Sequence, residues 1–134
     1  MIKLLSRPVI SSCECAEFAR RKWQAILKKE SVYAIFLNDR LEIQYFAQLN
    51  VSNYRQTNFN AREALEIAFF THCNNIIIVH NHTSGTAFPS ETDKRVTIEM
   101  IPHFAAFDVH LVDHIIITVN DYYSFADHQI ITAG

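Results

Sequence analysis

Residues 76–93 read IIIVHNHTSGTAFPSETD, and the reading of that stretch organises the rest of the chain. Ile76-Ile77-Ile78-Val79 is a short, uninterrupted apolar run, which predicts a strand buried on both faces. From His80 to Pro89 the residues turn polar and loop-forming and include Gly85, the only glycine besides the last residue of the chain. Ser90 and Asp93 then stand three apart, where a helix start sets both on one face within a single turn. His80 and His82 are two apart at the strand's end. A strand repeats its side-chain direction every two residues, so both imidazoles point to one side. Their neutral nitrogens suit zinc, and the intervening loop can fold the helix start back to bring in Asp93 as a third ligand. Three ligands with a fourth position left for water make a catalytic zinc pattern, not a closed structural one.

Working outward, Ser11 and Glu14 match a capping box, and Ala16, Ala19, Trp23, Ile26 and Leu27 recur at helical spacing. They predict a helix over about 12–29. Residues 31–37 (SVYAIFL) read as a strand, 38–40 as a turn and 41–49 as a second strand, giving an antiparallel hairpin. Residues 50–60 read as a loop. Asn60 with Glu63 starts a second helix to about Cys73. The helix opened by Ser90 and Asp93 should be kinked or ended by Pro102. Val109 to Val119 forms a last long strand, and a short end piece holds Tyr122 to Phe125. The order αββαβαβ(β) points to an α/β fold, a mixed β-sheet with flanking helices.

The 134 residues suit one domain, and 49% hydrophobic against 19% charged residues can build a core. A net charge of −2 gives polyanions no overall attraction. Arg20, Arg21, Lys22, Lys28 and Lys29 spread around a helix and read as a solvated face. Cys13, Cys15 and Cys73 are an odd set without framework spacing, which argues against a disulfide scaffold and for a reducing, cytoplasmic setting. The N-terminal stretch is a poor signal peptide, and no run reaches the roughly 18 apolar residues of a membrane span.

His-x-His, seven residues, then Ser-x-x-Asp is the JAMM signature, and residues 80–93 reproduce its spacing. The segment HNHTSG, Pro89-Ser90 with Asp93, and Asp113-His114-Ile115-Ile116 narrow the likeness. Together with Arg62-Glu63 and Ser124-Phe125, they make residues 25–134 resemble the RadC branch of the JAMM (MPN-type) metalloproteases. The resemblance implies the MPN, cytidine-deaminase-like architecture, with Zn²⁺ held by His80, His82 and Asp93. It implies a general base at the junction of first helix and strand, where Glu30 stands, and Ser90 as donor to a developing oxyanion. The reaction implied is hydrolysis of a peptide or isopeptide bond in a protein or peptide substrate. Family association alone adds a DNA-repair or mobile-element accessory role, binding or cleaving nucleic acid, and an inactive MPN scaffold is the third reading. Thr83 stands where the family has proline, Asn50 to Asn53 occupy the place of a Gly-Thr, and 134 residues leave no room for an N-terminal helix-hairpin-helix region.

Several residues have plainer readings. Glu42 and Glu63 compete with Glu30 as the carboxylate, and Asn81 and Ser84 suit loop hydrogen bonding. His114 reads as a core histidine paired with the adjacent Asp113. Phe69 and Phe70 read as helix packing, and Tyr122-Tyr123 as cover for a sheet edge.

Overall fold

The computed structural model describes residues 3–8, 11–23, 29–49, 51–53, 58–59 and 61–131. In chain order the elements are β1 (Lys3–Pro8), α1 (Ser12–Lys22), β2 (Val32–Leu37), β3 (Glu42–Leu49), β4 (Val51–Asn53), β5 (Asn58–Phe59), α2 (Ala61–Thr71), β6 (Asn75–Asn81), α3 (Glu91–Ala105), β7 (His110–Ile117) and β8 (Tyr122–Ser124). Six strands make one mixed sheet in the order β1-β3-β2-β6-β7-β8. Every neighbour pair is antiparallel except β6 and β7, which run parallel because α3 carries the chain back between them. The α/β class and the 31–49 hairpin are as the sequence implied.

The apolar run 76–79 lies mid-sheet between β2 and β7, which is why it shows no alternation. Helices cover both faces. Val32, Ala34, Phe36, Ile76, Ile78 and Leu111 pack with Ala64 and Ala68 of α2 and Met100 and Phe104 of α3. Tyr33, Ile35, Leu37, Ile77, Val79, Ile115 and Ile117 pack against Cys15, Ala16, Phe18 and Ala19 of α1. One layer of sheet thus separates two apolar cores, and the period of two in β2 assigns each residue to its side.

Four readings change. β1, a strand along the edge of β3, was not foreseen in the N-terminal stretch. Residues 51–53 and 58–59 form a small two-stranded ladder inside the expected loop. The first helix ends at Lys22 instead of running to about residue 29. Trp23 leaves helical geometry and stacks on Tyr33 at 4.1 Å, and the expected continuation over Ile26 and Leu27 lies outside the described residues, as does Asn60. Pro102 does not end α3, which continues to Ala105. Proline removes one helical N–H, and the buried Phe104 anchors the turn beyond it, with the Ala106 N–H donating to the Pro102 carbonyl at 3.0 Å.

Surface expectations also shift. Arg20 is not on a solvated face: its guanidinium donates to the carbonyls of Thr118 and Asp121, tying α1 to the end of β7. Phe69 and Phe70 are exposed rather than packed, with Phe69 edge-on to Phe107. The three cysteines are free thiols. Among the described residues no helix is long and apolar enough to cross a membrane.

Candidate metal centre

The strand β6 delivers His80, and the ladder runs one residue past its end, because the His82 N–H donates to the Ile117 carbonyl at 2.9 Å. That extra bond keeps the backbone extended through His82 and preserves the two-residue period. Both rings therefore lie on one side, with centroids 4.8 Å apart. The chain then turns through 83–89, where Gly85 has φ +89°, a conformation that L side chains resist. Ala87 and Pro89 bury themselves and lead into α3.

The third member comes from a capping box. The Asp93 N–H donates to Ser90 Oγ at 3.0 Å, and the Ser90 N–H donates to Asp93 Oδ2 at 2.9 Å. The reciprocal pair fixes the Asp93 carboxylate as it faces the histidines. His82 Nε2 lies 3.1 Å from Oδ2 and His80 Nε2 3.6 Å from Oδ1. One ligand atom from each of His80, His82 and Asp93 falls within 4.8 Å of the others. For comparison, bonds of roughly 2.1 Å to a tetrahedral zinc would put ligand atoms about 3.4 Å apart.

Protonation fits the same use. His82 Nδ1 lies 3.1 Å from the Thr86 carbonyl, an acceptor only, so that nitrogen carries a proton. Its pKa is raised, first by the hydrogen bond to Asp93, with burial opposing and Glu30 adding attraction. Burial pushes the His80 pKa down to about 4, so its ring is neutral in ordinary buffers. His80 Nε2 is buried and, among the described residues, has no hydrogen-bond partner. Buried polar atoms are nearly always satisfied, so this one calls for an occupant. A divalent cation bound by two imidazoles and a carboxylate answers that need.

Glu30 is exposed, just before β2. Val32, two residues on, pairs with His80, and the charge of Glu30 contributes to raising the His82 pKa. Glu42 is elsewhere: its carboxylate accepts from the Asn38 side chain at 2.8 Å, at the hairpin end of β2. Glu63 sits in the first turn of α2. Ser90 is exposed at the rim, beside Asp93.

Two residues have roles that local sequence did not show. Asn81 is wholly buried between the two histidines, and its amide bonds to the backbone on both sides of Glu30. His114 is buried as expected, but its ring does not pair with Asp113. A bulge in β7 puts Leu111 opposite Ile76 and Asp113 opposite Ile77, skipping one residue. The slip turns the His114 ring toward α3, where Thr97 Oγ1 lies 2.6 Å from Nδ1 and His80 Nδ1 lies 2.7 Å from Nε2. Asp113 instead accepts from Ser124 Oγ and from the backbone N–H groups of His114 and Ala126. No short-range pattern announces a bulge.

These elements define a class: an α/β domain whose central strand and following helix gather two histidines and an aspartate as candidate metal ligands. Residues 9–130 match the RadC-like JAB domain, and the chain belongs to that family. It is similar to a UPF0758 protein of Chlorobaculum parvum, 32% identical over 103 residues that make up 77% of this chain and 46% of that protein. A UPF0758 protein of Coxiella burnetii is 33% identical over 116 residues, 84% of this chain and 52% of its own length. The UPF0758 protein YeeS of Escherichia coli is 26% identical over 117 residues, 84% and 79% respectively. The chain therefore spans about half the length of the first two of these relatives.

Proposed function

We propose that this chain is a zinc-dependent hydrolase that cleaves amide bonds, peptide or isopeptide, in a protein or peptide substrate. The observation that carries the reading is the buried Nε2 of His80, without a hydrogen bond among the described residues, converging with His82 Nε2 on one carboxylate. His80, His82 and Asp93 would hold the ion. Zinc bound there would supply a Lewis acid able to lower the pKa of a water from about 15.7 to roughly 7.

The chain's own groups supply the rest. Glu30, exposed and close enough to His82 to raise its pKa, takes the proton of the attacking water on its carboxylate and passes it to the leaving nitrogen. Ser90 Oγ already accepts the Asp93 N–H, which orients the hydroxyl and leaves its own hydrogen to donate to the carbonyl oxygen of the scissile bond. A single donor of that kind is worth about 3 kcal/mol as the oxygen gains charge.

Elemental mass spectrometry of the purified chain tests the centre. About one zinc per wild-type chain, lost in His82→Ala, supports it. No uptake by either protein after incubation with zinc would remove the basis for metal-assisted hydrolysis. Peptide and isopeptide cleavage, assayed with and without chelator, then tests the reaction.

A further inference from the structure

We infer that Thr97 and His114 are positioning residues for the centre: they form a one-way hydrogen-bond relay that holds His80 as its Nδ1–H tautomer, with the Nε2 lone pair turned toward the ion. The inference rests on the metal-centre reading for its purpose, though not for its geometry.

The relay is a continuous, buried chain. The Thr97 Oγ1 lies 2.8 Å from the Asp93 carbonyl and 2.6 Å from His114 Nδ1. His114 Nε2 lies 2.7 Å from His80 Nδ1. Thr97, His114 and His80 are all buried, so no water competes for these contacts.

Its direction follows from its end. A carbonyl can only accept, and a hydroxyl has one hydrogen to give. Thr97 gives that hydrogen to Asp93 and must accept from His114, so the proton of His114 is on Nδ1. The Nε2 of His114 is then bare and must accept in turn, which places a proton on Nδ1 of His80. The remaining nitrogen of His80 is left as a lone pair, the form a metal ion requires. Running the relay the other way would leave two oxygen lone pairs facing each other at the Thr97–Asp93 contact. It would also put a hydrogen on His80 Nε2.

Asp93 thus acts twice, its carboxylate facing the site and its carbonyl setting the polarity of the relay. Because Thr97 is one turn after Asp93 on α3, the helix that brings the carboxylate also brings the hydroxyl. Phe125 stacks on His114 at 4.5 Å and 6°, fixing the plane of the ring. The bulge at 111–113 puts His114 in reach.

Long-range proton–nitrogen NMR on metal-free, ¹⁵N-histidine-labelled protein near neutral pH reads the tautomers directly. Both His80 and His114 are expected as Nδ1–H forms. A His80 that is mainly Nε2–H, or an even mixture, overturns the relay. That measurement uses the unaltered chain, so it stands even if no variant folds. Zinc affinity by competition with a chromophoric chelator supplies the second readout. Thr97→Val should release the tautomer and weaken zinc binding by about 10- to 100-fold, while Thr97→Ser should keep both. Wild-type affinity in Thr97→Val would overturn the relay. Failure of the wild type itself to bind zinc would instead sink the metal-centre reading, and the metal-free tautomers would still decide the relay.

Discussion

Asn81 at the end of β6 holds Ser31 just ahead of β2, for the Ser31 N–H donates to Asn81 Oδ1 at 2.8 Å. The other end of the same amide donates to the Lys29 carbonyl at 2.9 Å. Glu30 is the residue between those two anchors. A buried side chain from β6 therefore sets the backbone of an exposed carboxylate, and the two histidines on either side of Asn81 keep a constant relation to it.

Replacing Asn81 should uncouple the carboxylate from the metal site. Asn81→Ala leaves the Ser31 N–H and the Lys29 carbonyl without this partner, at a cost of about 1–3 kcal/mol in denaturant unfolding. Zinc content should persist, since no ligand is removed. Hydrolysis should fall by about 10²-fold, the scale expected for a misplaced group. Unchanged turnover with the expected loss of stability would show that Asn81 serves the fold alone.

Glu30→Gln keeps the shape of the side chain and removes its capacity to take a proton. Turnover should drop by about 10²- to 10⁴-fold while zinc content stays that of the wild type. Full activity in this variant would transfer the base role to another group, and Glu63 would be the first to try.

Ser90 has two separable duties. Ser90→Ala loses the cap on α3 and should lower stability by about 1 kcal/mol. Ser90→Asp restores a capping oxygen without a hydroxyl donor. It should recover most of the stability yet remain about 10²- to 10³-fold slower. Equal activity in Ser90→Asp and wild type would confine Ser90 to capping.

Asp113 offers a pH test of the fold. Burial raises its pKa from 3.8 to about 6, outweighing three hydrogen bonds that pull the other way. The folded chain thus holds this proton more tightly than the unfolded chain does. Its contribution to stability is fully present below pH 3.8 and is lost as the pH rises through about 6. Asp113→Asn cannot ionise, so its stability relative to wild type should climb over that window, by at most about 3 kcal/mol. Urea titrations at several pH values would show it, and parallel curves for the two proteins would contradict the assignment.

Much of the site was legible because it is local. His80 and His82 need only the two-residue period of a strand, and Ser90 and Asp93 need only one turn of helix. Glu30 was singled out only through the family resemblance, and what brings its charge to bear on His82 is a pairing between strands about 50 residues apart in the chain, as Val32 with His80 shows. The strand β1 was missed because its pairing with β3, not its own pattern, makes it a strand.

By itself, then, the sequence determined the grouping of His80, His82 and Asp93 as candidate ligands, the helix that carries Asp93 and the identity of the central strand, since each depends on contacts a few residues apart. Tertiary structure decided which strands are neighbours, where β7 bulges and what His114 touches. The run IIIV is apolar on both faces and has no alternation to say which side His80 takes. That choice is made by packing α3 on one face of the sheet and α1 on the other, and a one-residue slip in β7 then turns the His114 ring toward Thr97 and His80.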